Sequence, residues 1–120
     1  MELIQARFVT NDVAALARHY SALVGASTHL NDYYVELPTG AMTLGFSRCR
    51  FTEDIGIGRG EVILDFVVPD VDAAYPRIDA LRVHWLFGPT TQPWGKRSMM
   101  LRDPEGHLIN VVSDPQRNRS

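Results

Sequence analysis

Two charges stand inside otherwise apolar runs of this chain: Arg7 within Leu3 to Val9, and Asp65 within Val62 to Val68. A charge withdrawn from water is costly unless it is paired or put to use. Two uses fit here and are compatible. The charges could close on each other as an ion pair, or one or both could orient a polar ligand. Gln5 and Asn110 add neutral amides, and Trp85, Trp94, Tyr33 and Tyr34 add the flat aromatic surface from which small-molecule pockets are built. The histidines, His19, His29, His84 and His107, are scattered over separate segments. Cys49 is the only cysteine, which excludes an intrachain disulfide and a multi-cysteine zinc site. Arg48 and Arg50 flank it, a setting that favours thiolate, although an edge-strand cysteine with no role is the simpler reading.

The elements that carry these residues follow from an internal repeat. Displaced by 58 positions, Phe8 to Gly25 lies on Phe66 to Val83 with 7 identities in 18, among them Asp12/Asp70, Val13/Val71 and Leu23/Leu81. The same offset sets Gln5 on Ile63 and Arg7 on Asp65. Each copy opens with an apolar strand, and Asp12 and Asp70 then stand where a side chain can cap a helix. Val13, Leu16, Ala17, Tyr20, Leu23 and Val24 give the first helix one apolar face, and Gly25 suits a left-handed end. Val71, Ala74, Ile78 and Leu81 do the same for the second, where Pro76 predicts a kink or a short first turn. Three strands are expected after each helix: Ser27 to Leu30, Tyr33 to Leu37 and Ala41 to Ser47, then Val83 to Phe87, Arg97 to Arg102 and His107 to Ser113. Asp103-Pro104-Glu105-Gly106 reads as a tight turn between the last two.

The expected organisation is one domain over 1–120: module one 1–51, linker 52–60, module two 61–113 and tail 114–120. At 120 residues and 45% hydrophobic, the chain can bury a core without a staple. A formal net charge of -2 leaves no electrostatic footprint for nucleic acid. The apolar runs are far shorter than the ~18 residues a membrane helix needs. Residues 1 to 25 contain Glu2 and Asp12 and lack the continuous apolar core of a signal peptide. The expectation is a cytoplasmic domain without a nucleic-acid or membrane partner.

Strand alternation then sorts side chains onto two faces. If Gln5 faces a cleft, so do Arg7 and Val9, with Ile4, Ala6 and Phe8 under the helix. The same parity turns Ile63, Asp65 and Val67 toward the cleft, with Leu108, Asn110 and Val112 on the last strand and Thr43, Gly45 and Ser47 in the first copy.

The doubled strand-helix-three-strand unit, with Trp94-Gly95 and the ending Asp103-Pro104-Glu105-Gly106-His107-Leu108-Ile109, resembles the vicinal oxygen chelate superfamily over residues 3 to about 113. That superfamily contains glyoxalase I, extradiol dioxygenases, and fosfomycin- and bleomycin-resistance proteins. The resemblance implies an α+β fold of two tandem βαβββ modules whose curled sheets form a cleft. It also implies a homodimer, and in its enzymes a divalent metal held by four residues. Those four places fall here on Gln5, Gly45, Ile63 and Asn110. Two neutral amides do not hold a catalytic ion, so the resemblance implies no metal and no cofactor here. The function expected is therefore binding rather than catalysis: a metal-free protein of the bleomycin-resistance type, linked to antibiotic resistance, that sequesters or carries a hydrophobic or aromatic small molecule in the cleft. Gln5, Arg7, Asp65, Asn110, Trp85 and Trp94 would contact it. The alternative is an enzyme of the superfamily, an isomerase, lyase or dioxygenase, using a divalent metal or Arg7 and Asp65.

Overall fold

The computed structural model describes residues 1–48 and 55–115. Cys49, the start of the expected linker and the end of the tail lie outside the described residues. The order of elements is β1 (Glu2–Thr10), α1 (Val13–Val24), β2 (Tyr34–Pro38), β3 (Thr43–Arg48), β4 (Val62–Val68), α2 (Val71–Asp79), β5 (His84–Thr91), β6 (Arg97–Arg102) and β7 (Leu108–Ser113). The chain divides into two compact units, one of Ile4–Ile63 and one of Leu64–Ser120 together with Met1–Leu3.

In the Ile4–Ile63 unit the strands run β2-β3-β1, β1 parallel to β3 and β2 antiparallel to it. One face of this sheet is covered by α1. Val13 and Ala17 of the helix are fully buried with Val35, Leu37 and Phe46, and Phe8, Tyr20 and Phe46 stack with ring centroids 5.1 to 5.6 Å apart. Gly25 ends α1 in the left-handed conformation (φ +72°), its N–H donating to the Ser21 carbonyl at 3.0 Å. Asp12 does not cap the helix as expected. Its own N–H donates to Thr10 Oγ1 at 3.0 Å, and its side chain makes no capping bond. Ser27 to Leu30 forms no strand. The segment has a single apolar residue to bury, and Thr28 Oγ1 donates to the Glu36 carbonyl at 2.9 Å instead of leaving the backbone to pair.

In the other unit the order is β4-β7-β6-β5, with β5/β6 and β6/β7 antiparallel. Val68, Val71, Ile78, Met99, Leu101 and Val111 form the core between α2 and the sheet. Asp70 caps α2, accepting from the Asp72 N–H at 3.0 Å, and α2 runs through Pro76 for nine residues. The β6–β7 turn is built by Asp103, whose Oδ1 accepts from the N–H groups of Glu105 and His107, with Gly106 left-handed (φ +96°).

The architecture is thus α+β with mixed sheets, but the curled, cleft-forming sheets expected from the resemblance are not found. Each unit's strand order is open, and the sheet is neither closed nor strongly curled. Strong curl comes from bulges and glycine kinks. Here β1/β3, β2/β3 and β6/β7 keep unbroken register, and the shifts are confined to β5/β6, between Trp85 and Phe87 and between Phe87 and Thr90.

The backbone N–H of His107, ahead of the opposing effect of burial, holds the Asp103 carboxyl below the usual carboxylate range. A carboxyl lowered on folding adds stability above its unfolded-state value and loses it as pH falls through the folded one. Asp103→Asn is expected to lower the urea midpoint at pH 7, with the gap to the parent protein closing below about pH 4.

Candidate functional site

Alternation leaves the face opposite each helix for polar groups. In the Ile4–Ile63 unit that face carries Gln5 and Arg7 on β1, Gly45 and Ser47 on β3, and Tyr34 and Glu36 on β2; Arg7 lies directly opposite Gly45, and Gly45 opposite Glu36. Gln5 is buried, and its Nε2 donates to Tyr34 Oη at 3.0 Å. That hydroxyl in turn donates to Glu36 Oε2 at 3.2 Å. Tyr34 is therefore the tyrosine on this face; Tyr33 lies beneath the Arg48 guanidinium, 5.9 Å from ring centre to Cζ. A Cβ on Gly45 would fall 2.6 Å from Gln5 Nε2 and 3.3 Å from Arg7 Cγ, so the glutamine lies across the strand in space that only glycine leaves. Ser47, also buried, has the one buried side-chain polar atom without a hydrogen-bond partner among the described residues.

In the second unit Asp65 is 6% exposed, and Asn110 Nδ2 donates to its Oδ1 at 3.0 Å. Met100 lies opposite Asn110 and Ser98 opposite Val112, so both face the same way. Gln92 Nε2 donates to the buried Ser98 Oγ at 3.0 Å. Trp85 points to the other side. Its indole tilts against Tyr75 at 5.0 Å and its Nε1 donates to Asp79 Oδ1 at 2.9 Å, so it belongs to the α2 core. Trp94 stands 73% exposed in the β5–β6 turn, where Gly95 N–H donates to the Gln92 carbonyl. The structure thus brings Gln5 together with Tyr34 and Glu36, and Asp65 with Asn110. From sequence Glu36 was missed and Tyr34 was not told apart from Tyr33, although β2 parity places Tyr34 and Glu36 on one face.

The four places that the resemblance assigns to a divalent metal do not suit one. Ile63 is a wholly buried hydrocarbon, Gly45 has no donor and its side-chain space is filled by Gln5, and the Gln5 and Asn110 amides offer only two neutral oxygens. Among the described residues no three His, Cys, Asp or Glu side chains gather into a metal-binding group.

The family model for the Glyoxalase/Bleomycin resistance protein/Dioxygenase superfamily matches residues 3–111, and the chain belongs to that superfamily. The match reaches the superfamily as a whole and does not single out its bleomycin-resistance branch. No curated protein matches the sequence. Among solved structures, one described as an NAD-dependent benzaldehyde dehydrogenase from Legionella pneumophila superposes with a TM-score of 0.76 at 16% identity, over 91% of this chain and 96% of that one. A superfamily member from Vibrio splendidus 12B01 gives 0.68 at 16% identity, over 94% and 98%. The methylmalonyl-CoA epimerase of Streptomyces coelicolor, in complex with 2-nitronate-propionyl-CoA, gives 0.65 at 19% identity, over 100% and 99%. These likenesses establish the fold. They also correct the expectation of binding rather than catalysis, since structures described as a dehydrogenase and an epimerase share this fold. Missing metal ligands bear only on chemistry that needs the metal, and the alternative of an enzyme using Arg7 and Asp65 does not need it. No helix among the described residues is long and apolar enough to cross a membrane.

Gly45→Ala forces the Gln5 side chain off its position and is expected to destabilise the protein by about 1–3 kcal/mol in urea unfolding. Much of that loss should return in the double variant with Gln5→Ala, because the obstructing amide is then gone.

Proposed function

We propose that this chain is an enzyme of the superfamily in which the Asp65 carboxylate transfers a proton on a small organic substrate without a divalent metal. The observation that carries the reading is the pair itself: a carboxylate almost wholly removed from water, on a strand of hydrocarbons, with one oxygen fixed by Asn110 Nδ2 at 3.0 Å. The amide fixes the orientation of the carboxylate. A positioned carboxylate of this kind suits removal of a proton from carbon beside a carbonyl or thioester. Asn110 acts as a positioning residue. On the Ile4–Ile63 unit, Gln5 and Arg7 are groups for binding polar atoms and Tyr34 and Glu36 extend that set; on the other unit Trp94 offers an exposed aromatic surface. The fold shared with a methylmalonyl-CoA epimerase makes acyl-thioesters a first substrate class to try, with 2-oxo compounds as the second. We place the protein in the cytoplasm, on its sparing use of cysteine. We also read it as a homodimer with two-fold symmetry, formed through exposed strand edges.

The test is solvent exchange. A panel of acyl-CoA thioesters and 2-oxo acids is incubated with the protein in D2O, with and without EDTA, and carbon-bound deuterium is read by mass spectrometry. At least one member should exchange, undiminished by EDTA, and Asp65→Asn should slow it by about 10²-fold or more. Exchange that survives Asp65→Asn, or that EDTA abolishes, contradicts the proposal. So does a folded protein inert toward the whole panel.

A further inference from the structure

The two units fill the space between helix and sheet differently. In the Ile4–Ile63 unit an aromatic triple does it: Phe8 on β1, Tyr20 on α1 and Phe46 on β3, the strand beside β1. The repeat offset sets Phe66 on Phe8 and Ile78 on Tyr20, and Val111 occupies β7, the strand beside β4. Two rings of three are thereby replaced by smaller aliphatic side chains. Phe66, Ile78 and Val111 all line a cavity of about 310 Å3, together with Leu101 and Ile109. This cavity lies on the α2 side of the sheet, opposite the face that carries Asp65 and Asn110.

Its polar groups are few and unequal. Arg77, in the last turn of α2, lines the cavity and has no hydrogen-bond or ion-pair partner among the described residues. Asp103 also lines it, but its carboxylate is consumed by its own turn, accepting from the N–H groups of Glu105 and His107 and lying 2.8 Å from His107 Nδ1. Of the two charged side chains lining this apolar hole, the uncommitted one is therefore positive. The volume falls at the small end of the ~300–1,000 Å3 typical of ligand pockets.

We infer that the α2 side of this unit is a second binding site, for a medium-chain aliphatic carboxylate. The hydrocarbon chain occupies the space that the missing rings leave among Phe66, Ile78 and Val111, and the carboxylate meets the Arg77 guanidinium at the mouth. Arg77 gives the ligand its sign, since a neutral or cationic amphiphile of equal length gains nothing from it.

Calorimetric titration with octanoate, octanol and octylamine tests this directly. Octanoate should bind saturably, one per chain, and more tightly than either of the others. Arg77 is exposed, so Arg77→Glu should fold; it is expected to weaken octanoate about tenfold or more while leaving octanol unchanged. Ile78→Tyr restores the ring present in the first unit and should block all three, with circular dichroism confirming the fold. Asp65→Asn should leave octanoate binding intact, which separates this site from the proposed catalytic one. The inference is overturned by the absence of saturable octanoate binding, by an Arg77→Glu protein that binds it as well as the parent, or by octylamine binding at least as tightly.

Discussion

A carboxylate at 6% exposure in the sequence Val-Ile-Leu-Asp-Phe-Val-Val is the tightest constraint on this structure. Removing an ionised group from water costs several kcal/mol even after the protein relaxes, on the order of the whole margin by which a small domain is stable. Hydrocarbon at position 65 would suit the strand better. The chain instead keeps Asp65 and commits Asn110, on the neighbouring β7, to holding one of its oxygens. Burial of this kind is retained where the group is used, and the proposed proton transfer follows from that tension.

The same face in the other unit meets the problem with a neutral group. Gln5 is also buried, but it is an amide and costs less to desolvate, provided that its hydrogen bonds are made. Tyr34 accepts one of them from β2 and its hydroxyl donates in turn to Glu36, and Gly45 provides the room. The two units share a strand-helix opening at the repeat offset, while the second has one strand more and the polar faces differ, with an amide cluster in one and a carboxylate in the other. The helix-facing cores differ as well, with stacked Phe8, Tyr20 and Phe46 in one and an aliphatic set beside the Tyr75–Trp85 pair in the other.

Much of this was legible from period and offset. The 58-residue repeat and strict alternation separate Ile4, Ala6 and Phe8 from Gln5, Arg7 and Val9, and they single out Arg7 and Asp65 as equivalent charges. Gly25 as the end of α1 and Asp103 as the organiser of the last turn follow from local backbone needs. What alternation cannot supply is cross-strand register, and that register brings Tyr34 and Glu36 to Gln5. At Asp12 the N–H donates to Thr10 Oγ1 and the side chain makes no capping bond, a side-chain choice that residue type alone does not decide. Trp85 went to the helix side because its register with Leu101, a core residue of β6, fixes its parity. The curl expected of the sheets was an inference from relatives. It required bulges that the paired strands, other than β5/β6, do not contain.

The claim that Asp65 is kept for use and not for stability is tested most directly by urea unfolding of Asp65→Asn at pH 7. The substituted amide keeps an oxygen for Asn110 Nδ2 while removing the buried charge. The account expects a free energy of unfolding equal to or above that of the parent. A loss of about 3–5 kcal/mol, the signature of breaking a buried ion pair, would make the carboxylate a structural element and contradict it.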